Sequence, residues 1–314
     1  MKISIITPAY NEDPNLPLLY QRILALDWKD QQLDWEWLVV DDHSHDGTDA
    51  YLQHLAEINP RVHHIRFARN FGSHAACAAG LELCTGNAAV VLAADLQDPP
   101  ETIFPLVNEW RAGSKVVWAV RADRPGESLL SLAFARIYYE LMRRYTSAKL
   151  PPSGADFLLM DRLVIDALKA APEKNTSLFA LIQWMGFDQA HIAYTKAQRH
   201  GGVSKWNFKT RLKLAIDSFV GFSYVPIRAT IVLGLSLAFL GFLYALFLIV
   251  RRFGFANPVE GWTSLICVVL ITSGIQLLML GTMGEYLWRC LDQTRPRPRF
   301  IIESIDGHAP GLPR

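Results

Sequence analysis

Short apolar runs alternate with helical patterns over the first two thirds of the chain. Each run is brief enough to be a strand buried on both faces, and the runs occupy residues 3–7, 37–41, 62–67, 88–93 and 115–120. Helical patterns separate them at residues 15–26, 48–58 and 73–84, with Asp46 or Thr48 placed to cap the second. This alternation predicts an α/β domain with a mainly parallel sheet and right-handed crossovers.

Two longer apolar runs follow, at residues 229–250 and 263–284, and neither contains a charged residue. At a rise of about 1.5 Å per residue, each helix would cross a hydrocarbon core about 30 Å thick. A pair of buried core helices is the alternative interpretation. Two such runs in tandem, joined by the short linker 251–262, favour a transmembrane hairpin.

Basic residues are concentrated on both sides of this hairpin. They precede the first run at Lys205, Lys209, Arg211, Lys213 and Arg228 and follow the second at Arg289, Arg295, Arg297 and Arg299, whereas the linker holds only Arg251 and Arg252. Because basic flanks stay on the cytoplasmic side of a membrane, we expect a multi-pass inner-membrane protein. Both termini and the N-terminal domain would be cytoplasmic.

The segment just before the hairpin has apolar residues at helical spacing beside basic ones. This pattern favours an amphipathic helix lying on the membrane surface, and a helix packed on the soluble domain is the alternative. The predicted organisation is therefore a cytoplasmic domain at residues 1–204, this juxtamembrane helix at 205–228, the hairpin at 229–285 and a cytoplasmic tail at 286–314.

Composition adds two constraints. Lys and Arg number 31 against 30 Asp and Glu, so the chain lacks the overall basic character of a nucleic-acid-binding protein. The four cysteines show no metal-binding spacing, which favours a reduced, cytosolic soluble part. The chain opens on an apolar strand-like run, and we expect no signal peptide.

Polar clusters follow three of the predicted strands, at the carboxyl ends where open α/β sheets bind ligands. Cluster 1 (residues 7–12) contains Pro8, Tyr10 and Glu12, which offer a flat face for a base and a hydrogen-bond acceptor. Cluster 2 (residues 41–48) contains Asp41 and Asp42. Adjacent carboxylates at a strand end need partners, and donors on a base or ribose would serve. Helix capping accounts for other parts of cluster 2 but not for this pair.

Cluster 3 (residues 93–100) contains Asp95 and Gln97, two residues apart. Carboxylate and amide oxygens suit Mg²⁺ or Mn²⁺, and such an ion neutralises the charge of a pyrophosphate leaving group. Taken alone, the cluster is equally explained as a capped turn before the next helix.

The three clusters in this order resemble the polyprenyl-phosphate glycosyltransferases of glycosyltransferase family 2. That group includes dolichol-phosphate mannosyltransferases and bacterial undecaprenyl-phosphate glucosyl and aminoarabinose-type transferases. The resemblance covers nearly the whole chain, roughly residues 2–302. Further matching segments are RNFG at 69–72, VR at 120–121, GADF at 154–157, WMGF at 184–187, RHGGVSKW at 199–206, GIQL at 274–277, GEY at 284–286 and RPRFII at 297–302.

The resemblance implies a GT-A fold and inverting transfer of a sugar from a nucleotide-sugar donor, with a UDP-sugar favoured, to an undecaprenyl-type phosphate. By matching positions, it implies that the donor is bound by Pro8, Tyr10, Glu12, Asp41, Ala94 and Arg121. It assigns the metal to Asp95 and Gln97. It assigns catalysis and the acceptor phosphate to Asp156, Arg199 and Lys205, although for Lys205 a lipid-facing basic residue is an equal alternative.

The acceptor chemistry bears on the role of Asp156. A phosphate monoester has a second pKa of about 6 and is largely dianionic at neutral pH, so it needs no strong general base. We therefore expect Asp156 to orient the acceptor or to balance Arg199 and Lys205, with a base role as the alternative.

One position departs from the family pattern. Ala93 stands where the family usually has a carboxylate two residues before Asp95, so we expect weakened or altered metal binding. This departure supports one rival function, a catalytically weakened lipid-carrier-binding or scaffold protein. The other rival is a processive polysaccharide synthase, whose Gln-x-x-Arg-Trp motif is not matched at residues 198–200. The expected partners are a nucleotide sugar, a polyprenyl phosphate lipid and the membrane, and the hairpin leaves homo-oligomerisation open.

Overall fold

The computed structural model describes residues 1–121, 157–171, 177–197, 225–254, 261–295 and 297–306. The chain forms two compact units, one made of Met1–Ser218 with Arg297–Arg314 and the other of Phe219–Pro296. The described strands of the first unit are β1 (Lys2–Ala9), β2 (Asp34–Asp41), β3 (Val62–Phe67), β4 (Ala88–Val91), β5 (Val116–Arg121), β6 (Leu158–Asp161), β7 (Gln189–Tyr194) and β8 (Ile302–Ile305). Its described helices are α1 (Leu16–Leu24), α2 (Thr48–Ile58), α3 (Ser73–Leu83), a 3₁₀ turn at Pro100–Thr102, α4 (Ile103–Arg111), α5 (Arg162–Lys169) and α6 (Leu178–Trp184).

The described strands form one sheet in the order β7-β5-β6-β4-β1-β2-β3-β8. β1 pairs in parallel with β2 and β4, β2 with β3, and β5 with β7, whereas β6 and β8 run antiparallel to their neighbours. The mainly parallel α/β sheet predicted from the hydrophobic pattern is confirmed. It follows that β1, β2, β3, β4, β5 and β7 all end at the same edge of the sheet, called the carboxyl edge below.

Burial on both faces explains why the central strands are so apolar. Ile5 and Ile6 are adjacent on β1 and both are fully buried, so helices must cover the two faces. On one face α3 approaches closely, because a Cβ added at Gly80 would lie 2.4 Å from a methyl group of Ile6. On β2 the buried Trp37 stacks on Tyr20 of α1, with ring centroids 5.8 Å apart.

The chain returns to the sheet after its most apolar segments. β8 pairs with β3 through Ile65↔Ile305 and Phe67↔Ile302, and the ring of Phe300 stacks on Phe67 with centroids 5.2 Å apart. The sequence pattern assigned residues 286–314 to a separate tail, because four strand residues without a longer apolar run give no signal of their own. In the structure, residues 286–294 continue a helix and Ile302–Ile305 complete the sheet.

The second unit contains two long helices, α7 (Val225–Gly254) and α8 (Trp262–Thr294). Within the described residues, one stretch is long and apolar enough to cross a membrane. It is Ile227–Tyr244, which has a mean hydropathy of 1.8 and contains no buried residue. Phe239 and Phe242 on this stretch are 62% and 66% exposed. The second predicted span falls in α8 and stays a prediction. Of the predicted juxtamembrane helix, residues 205–224 lie outside the described residues and residues 225–228 begin α7.

Candidate active site

The three clusters share an unusual backbone feature at the carboxyl edge. Asn11 in cluster 1, His43 in cluster 2 and Leu96 in cluster 3 have φ angles of 52°, 64° and 59°. Residues other than glycine seldom adopt this left-handed conformation, which costs about 1–2 kcal/mol. Left-handed residues of this kind concentrate at functional sites. Each cluster therefore leaves its strand through a sharp turn that packing has to hold in place.

Clusters 1 and 2 hold each other through hydrogen bonds. The Asn11 N–H donates to Ser44 Oγ and the His45 N–H donates to Asn11 Oδ1, both at 2.9 Å. The Glu12 N–H donates to Thr48 Oγ1, also at 2.9 Å. These bonds join the end of β1 to the turn after β2, so the two clusters form one rigid rim. Pro8, Tyr10 and Glu12 are half-buried along this rim.

Asp42 anchors the next loop to this rim. Its carboxylate accepts the N–H groups of Phe71 at 2.6 Å and Gly72 at 2.8 Å. Gly72 has a φ of 93°, where a residue with a side chain is strained. Burial raises the pKa of Asp42, the two N–H donors lower it, and the charge of Asp41 raises it again. The contribution of Asp42 to stability is therefore greatest below its ordinary pKa of 3.8 and is lost as pH rises through the folded-state value.

Asp41 lies beneath the rim and is fully buried. One carboxylate oxygen accepts the Ser44 N–H at 2.9 Å, and the other accepts Nη1 of Arg66 at 2.6 Å. The same guanidinium group lies 3.2 Å from Asp49. Because Asp41 is buried and both of its oxygens accept donors from the protein, it supports the rim from within the fold, and its predicted contact with a nucleotide stays a prediction.

One group of side chains in the described part of the chain could hold a metal ion by spacing alone. It consists of Asp41, Asp49 and His64, which each offer one ligand atom, and these three atoms lie within 4.8 Å of one another. Arg66 already supplies a positive charge to both carboxylates of this group. His64 is fully buried, neither ring nitrogen makes a hydrogen bond, and burial lowers its pKa. We interpret the group as an ion-paired cluster centred on Arg66 rather than as a metal centre.

Cluster 3 alternates exposure residue by residue. Leu96 and Asp98 are buried, whereas Asp95 and Gln97 are half-buried. The Gln97 N–H donates to Asp95 Oδ1 at 3.2 Å, which keeps the two residues in one tight turn. A carboxylate and an amide oxygen displayed together at the carboxyl edge fit a hard divalent cation. Ala94 is buried behind them, and Ala93 offers no ligand.

The ends of β5 and β7 are tied to cluster 3. The Tyr194 hydroxyl donates to Asp98 Oδ1 at 2.6 Å and hydrogen-bonds Arg121. Burial, followed by the charge of Asp98, raises the pKa of Tyr194, so the phenol remains a donor at neutral pH. Beyond β7, the Ala197 N–H donates to the Gln97 carbonyl at 2.8 Å. Arg121 is thus linked through the Tyr194 hydroxyl to Asp98 of cluster 3.

The structure brings most of the predicted site residues to one edge. Those at the carboxyl edge are Pro8, Tyr10, Glu12, Asp41, Ala94, Asp95, Gln97 and Arg121. Asp156, Arg199 and Lys205 lie outside the described residues, and their roles stay predictions. Arg66, Asp98 and Tyr194 were not predicted. The signal available for Arg66 was a charged residue between two buried apolar residues of a strand, Ile65 and Phe67.

Comparisons with known proteins identify a family and several relatives of this chain. The model of the family "Glycosyl transferase family 2" matches residues 4–168. The "Uncharacterized glycosyltransferase YkcC" of Bacillus subtilis is 38% identical over 98% of this chain and 95% of its own length. The "Bactoprenol glucosyl transferase" of Shigella phage SfX is 34% identical over 97% of this chain and 99% of its own length. The "Prophage bactoprenol glucosyl transferase homolog" of Escherichia coli is 33% identical over the same two shares.

Proposed function

We propose that this chain, which belongs to glycosyl transferase family 2, transfers a sugar from a nucleotide-sugar donor to a polyprenyl phosphate at the cytoplasmic face of a membrane. It is a glycosyltransferase with a GT-A-type α/β domain. The observation that carries the proposal is the convergence of clusters 1, 2 and 3 on one sheet edge, in a chain that matches bactoprenol glucosyl transferases over nearly its full length. A UDP-sugar is the favoured donor.

The two halves of the carboxyl edge suit the two halves of such a donor. The rim of clusters 1 and 2 offers Tyr10 as a flat face and Glu12 as an acceptor for the nucleoside. Mg²⁺ or Mn²⁺ held by the Asp95 carboxylate and the Gln97 amide oxygen would neutralise charge on the departing nucleoside diphosphate. Arg121, held by Tyr194, would contact the same phosphates.

The acceptor end of the reaction rests on residues outside the described part of the chain. A lipid phosphate oxygen attacks the anomeric carbon while the nucleoside diphosphate leaves from the opposite face, so the configuration inverts. Asp156 orients this acceptor, and Arg199 and Lys205 balance its charge. Since a phosphate monoester is largely dianionic above its second pKa of about 6, the attacking group is a competent nucleophile without a proton acceptor.

The membrane assignment is part of the proposal. The exposed apolar stretch Ile227–Tyr244 supports one span, and the uncharged run at 263–284 supports a second. Together with the amphipathic segment 205–228, these helices would place the domain at residues 1–204 beside the lipid headgroups. The distribution of basic residues favours a cytoplasmic location for that domain, including the strand β8 that completes its sheet.

A labelled-lipid experiment tests the function. Membranes carrying the protein are incubated with a panel of radiolabelled nucleotide sugars and undecaprenyl phosphate, with undecaprenol as the matched acceptor that lacks the phosphate. We expect one donor to label an organic-extractable lipid, with undecaprenyl phosphate and not with undecaprenol. Label in a non-extractable polymer would support a processive synthase instead. Nucleotide-sugar binding without transfer under any divalent ion would support a scaffold.

Restoring the missing carboxylate tests the metal assignment. Ala93 is half-buried just beyond β4, two residues before Asp95. We expect Ala93→Asp to lower the Mg²⁺ or Mn²⁺ concentration for half-maximal activity by roughly tenfold, because an added anionic ligand strengthens binding of a hard cation. Ala93→Asn, which has nearly the same shape without the charge, is the control. An unchanged metal requirement in Ala93→Asp would contradict the assignment.

A further inference from the structure

We propose that Glu303 of β8 is a positioning residue for the donor nucleotide and acts through Arg66 on Asp41. The inference rests on the proposed function, because it assumes that the nucleoside binds at the rim of clusters 1 and 2. It adds to the donor site a residue 237 positions away from Arg66 in the chain. None of the site positions predicted from the sequence lies in this C-terminal segment.

Arg66 is the hub of the arrangement. Its Nη1 donates to Asp41 at 2.6 Å and lies 3.2 Å from Asp49, while its Nε donates to Glu303 Oε2 at 3.2 Å. The guanidinium is planar and its N–H groups point in fixed directions. Contact with Glu303 on the Nε side therefore fixes the direction in which Nη1 reaches Asp41. Arg66 is largely buried, whereas Glu303 is half exposed.

The backbone that carries Glu303 is itself held in place. β8 pairs with β3 on either side of it, and the Asp306 carboxylate accepts the His64 N–H at 2.7 Å. Glu303 also lies 3.8 Å from the His43 ring, whose Nδ1 is 3.0 Å from the Phe67 carbonyl oxygen. The residue with a left-handed backbone in cluster 2 is thus in contact with the same carboxylate that holds Arg66.

A continuous series of contacts leads from Glu303 to cluster 1. Arg66 holds one oxygen of Asp41, and the other oxygen accepts the Ser44 N–H. Ser44 Oγ in turn accepts the Asn11 N–H. Loss of the Glu303 charge would weaken the hold on Nε, while Asp41 and Asp49 still hold Nη1. The resulting change in the direction of the guanidinium would pass to the rim on which the nucleoside is proposed to bind. The series ends before cluster 3, so the effect should fall on donor affinity and leave the chemical step unchanged.

The test compares two neutralised carboxylates that each pair with an arginine. Glu303→Gln and Asp34→Asn each remove one negative charge, but Asp34 pairs with Arg61 at 3.1 Å, both of those side chains are more than half exposed, and Asp34 begins β2 at the end away from the carboxyl edge. UDP and GDP binding to the purified full chain is measured by calorimetry, and donor KM and kcat are measured with the lipid-product assay. We expect Glu303→Gln to weaken nucleotide binding and raise donor KM roughly 3- to 10-fold, with kcat within about twofold.

Three further results complete the test. Asp34→Asn should leave donor KM within about twofold, Glu303→Asp should restore part of the affinity, and Arg66→Lys should weaken binding more than Glu303→Gln because lysine lacks the planar fork of N–H donors. Equal losses in Glu303→Gln and Asp34→Asn, or no change in Glu303→Gln, would overturn the inference. If the unchanged protein bound neither nucleotide, the proposed function would fail first, so the two failures are distinguishable.

Discussion

Asp95→Ala is expected to reduce sugar transfer on the order of 10²- to 10³-fold, mainly through kcat. The half-buried Asp95 carboxylate shares a tight turn with Gln97 at the carboxyl edge, where the donor phosphates are proposed to bind. Charge on the leaving diphosphate develops most fully in the transition state, so loss of the group that holds its counter-ion affects the rate more than ground-state binding. Initial rates of labelled-lipid formation at saturating donor measure the effect.

Asp30→Asn is the matched control for that experiment. Asp30 is an exposed carboxylate in the turn that leads into the start of β2, at the edge of the sheet opposite the carboxyl edge. We expect the rate of labelled-lipid formation by Asp30→Asn to stay within about twofold of the rate of the unchanged protein. If Asp95→Ala retained more than about half of the activity, Asp95 would not hold the counter-ion, and the metal assignment would have to be abandoned.

Glu36→Gln is expected to have the largest effect on stability. Glu36 is buried in β2, toward the end opposite the carboxyl edge. Its two oxygens accept from Ser4 Oγ at 2.6 Å and from both the N–H and the hydroxyl of Thr85 at 2.6 and 2.7 Å, and Lys2 Nζ lies 2.5 Å away. A glutamine would turn its NH₂ group toward at least one of these donors and leave Lys2 without a charged partner.

The pKa of Glu36 sets the size and pH range of this effect. Burial raises the pKa, but Lys2, Ser4 and Thr85 together lower it from 4.5 to about 2. That difference corresponds to about 3 kcal/mol of folding free energy. Because the folded-state pKa is depressed, the contribution is fully present above pH 4.5 and is lost as pH falls from 4.5 through about 2. Glu36→Gln should therefore lower the Tm by roughly 5–10 °C at pH 7, and the gap to the unchanged protein should narrow at pH 3.

Glu101→Gln provides the comparison for the stability measurement. Glu101 pairs with Arg22 at 2.6 Å, but both side chains are substantially exposed, and such pairs contribute less than about 1 kcal/mol. Thermal unfolding in detergent, followed by circular dichroism, gives the Tm of Glu36→Gln, of Glu101→Gln and of the unchanged protein. A Tm difference between Glu36→Gln and the unchanged protein that is the same at pH 7 and pH 3 would show that the ionised carboxylate is not the cause.

The two ends of β2 carry carboxylates whose pKa values are shifted in opposite directions. Glu36 at one end is surrounded by donors that keep its pKa low, so its charge stabilises the fold. Asp42, just past the other end, keeps a raised pKa because burial and the Asp41 charge outweigh its two N–H bonds. Ionisation of Asp42 therefore lowers the stability of the fold as pH rises through its raised pKa.

The hydrophobic pattern predicted the central strands of the sheet and the helices between them. The strands at 3–7, 37–41, 62–67, 88–93 and 115–120 and the helices between them are confirmed, because elements buried on one or both faces have to show their burial in sequence. β7 was not predicted, since its residues are mostly half-exposed and interrupt any apolar run. β6 and β8 have four residues each, and their strand state depends on the neighbours they pair with.

The candidate site was predictable to the extent that it follows strand ends. Clusters 1, 2 and 3 had to meet once the sheet was parallel, and they do. The supporting contacts followed no such rule. Two of these contacts join residues that are far apart in sequence, Arg66 with Glu303 and Asp98 with Tyr194. The partners meet only because of the strand order of the folded sheet. Burial of Asp41 under Arg66 is a tertiary outcome of the same kind.

The strand β8 also determines where the chain can be shortened. A polypeptide that stops ahead of α7 loses Ile302–Ile305, and β3 becomes an outer strand whose N–H and C=O groups on that side have no partner. Open strand edges recruit strands from other molecules, so aggregation follows even though the N-terminal strands and helices are all present. A soluble form suited to crystallisation therefore has to bring residues 297–306 back to β3 through a linker that replaces the two long apolar helices.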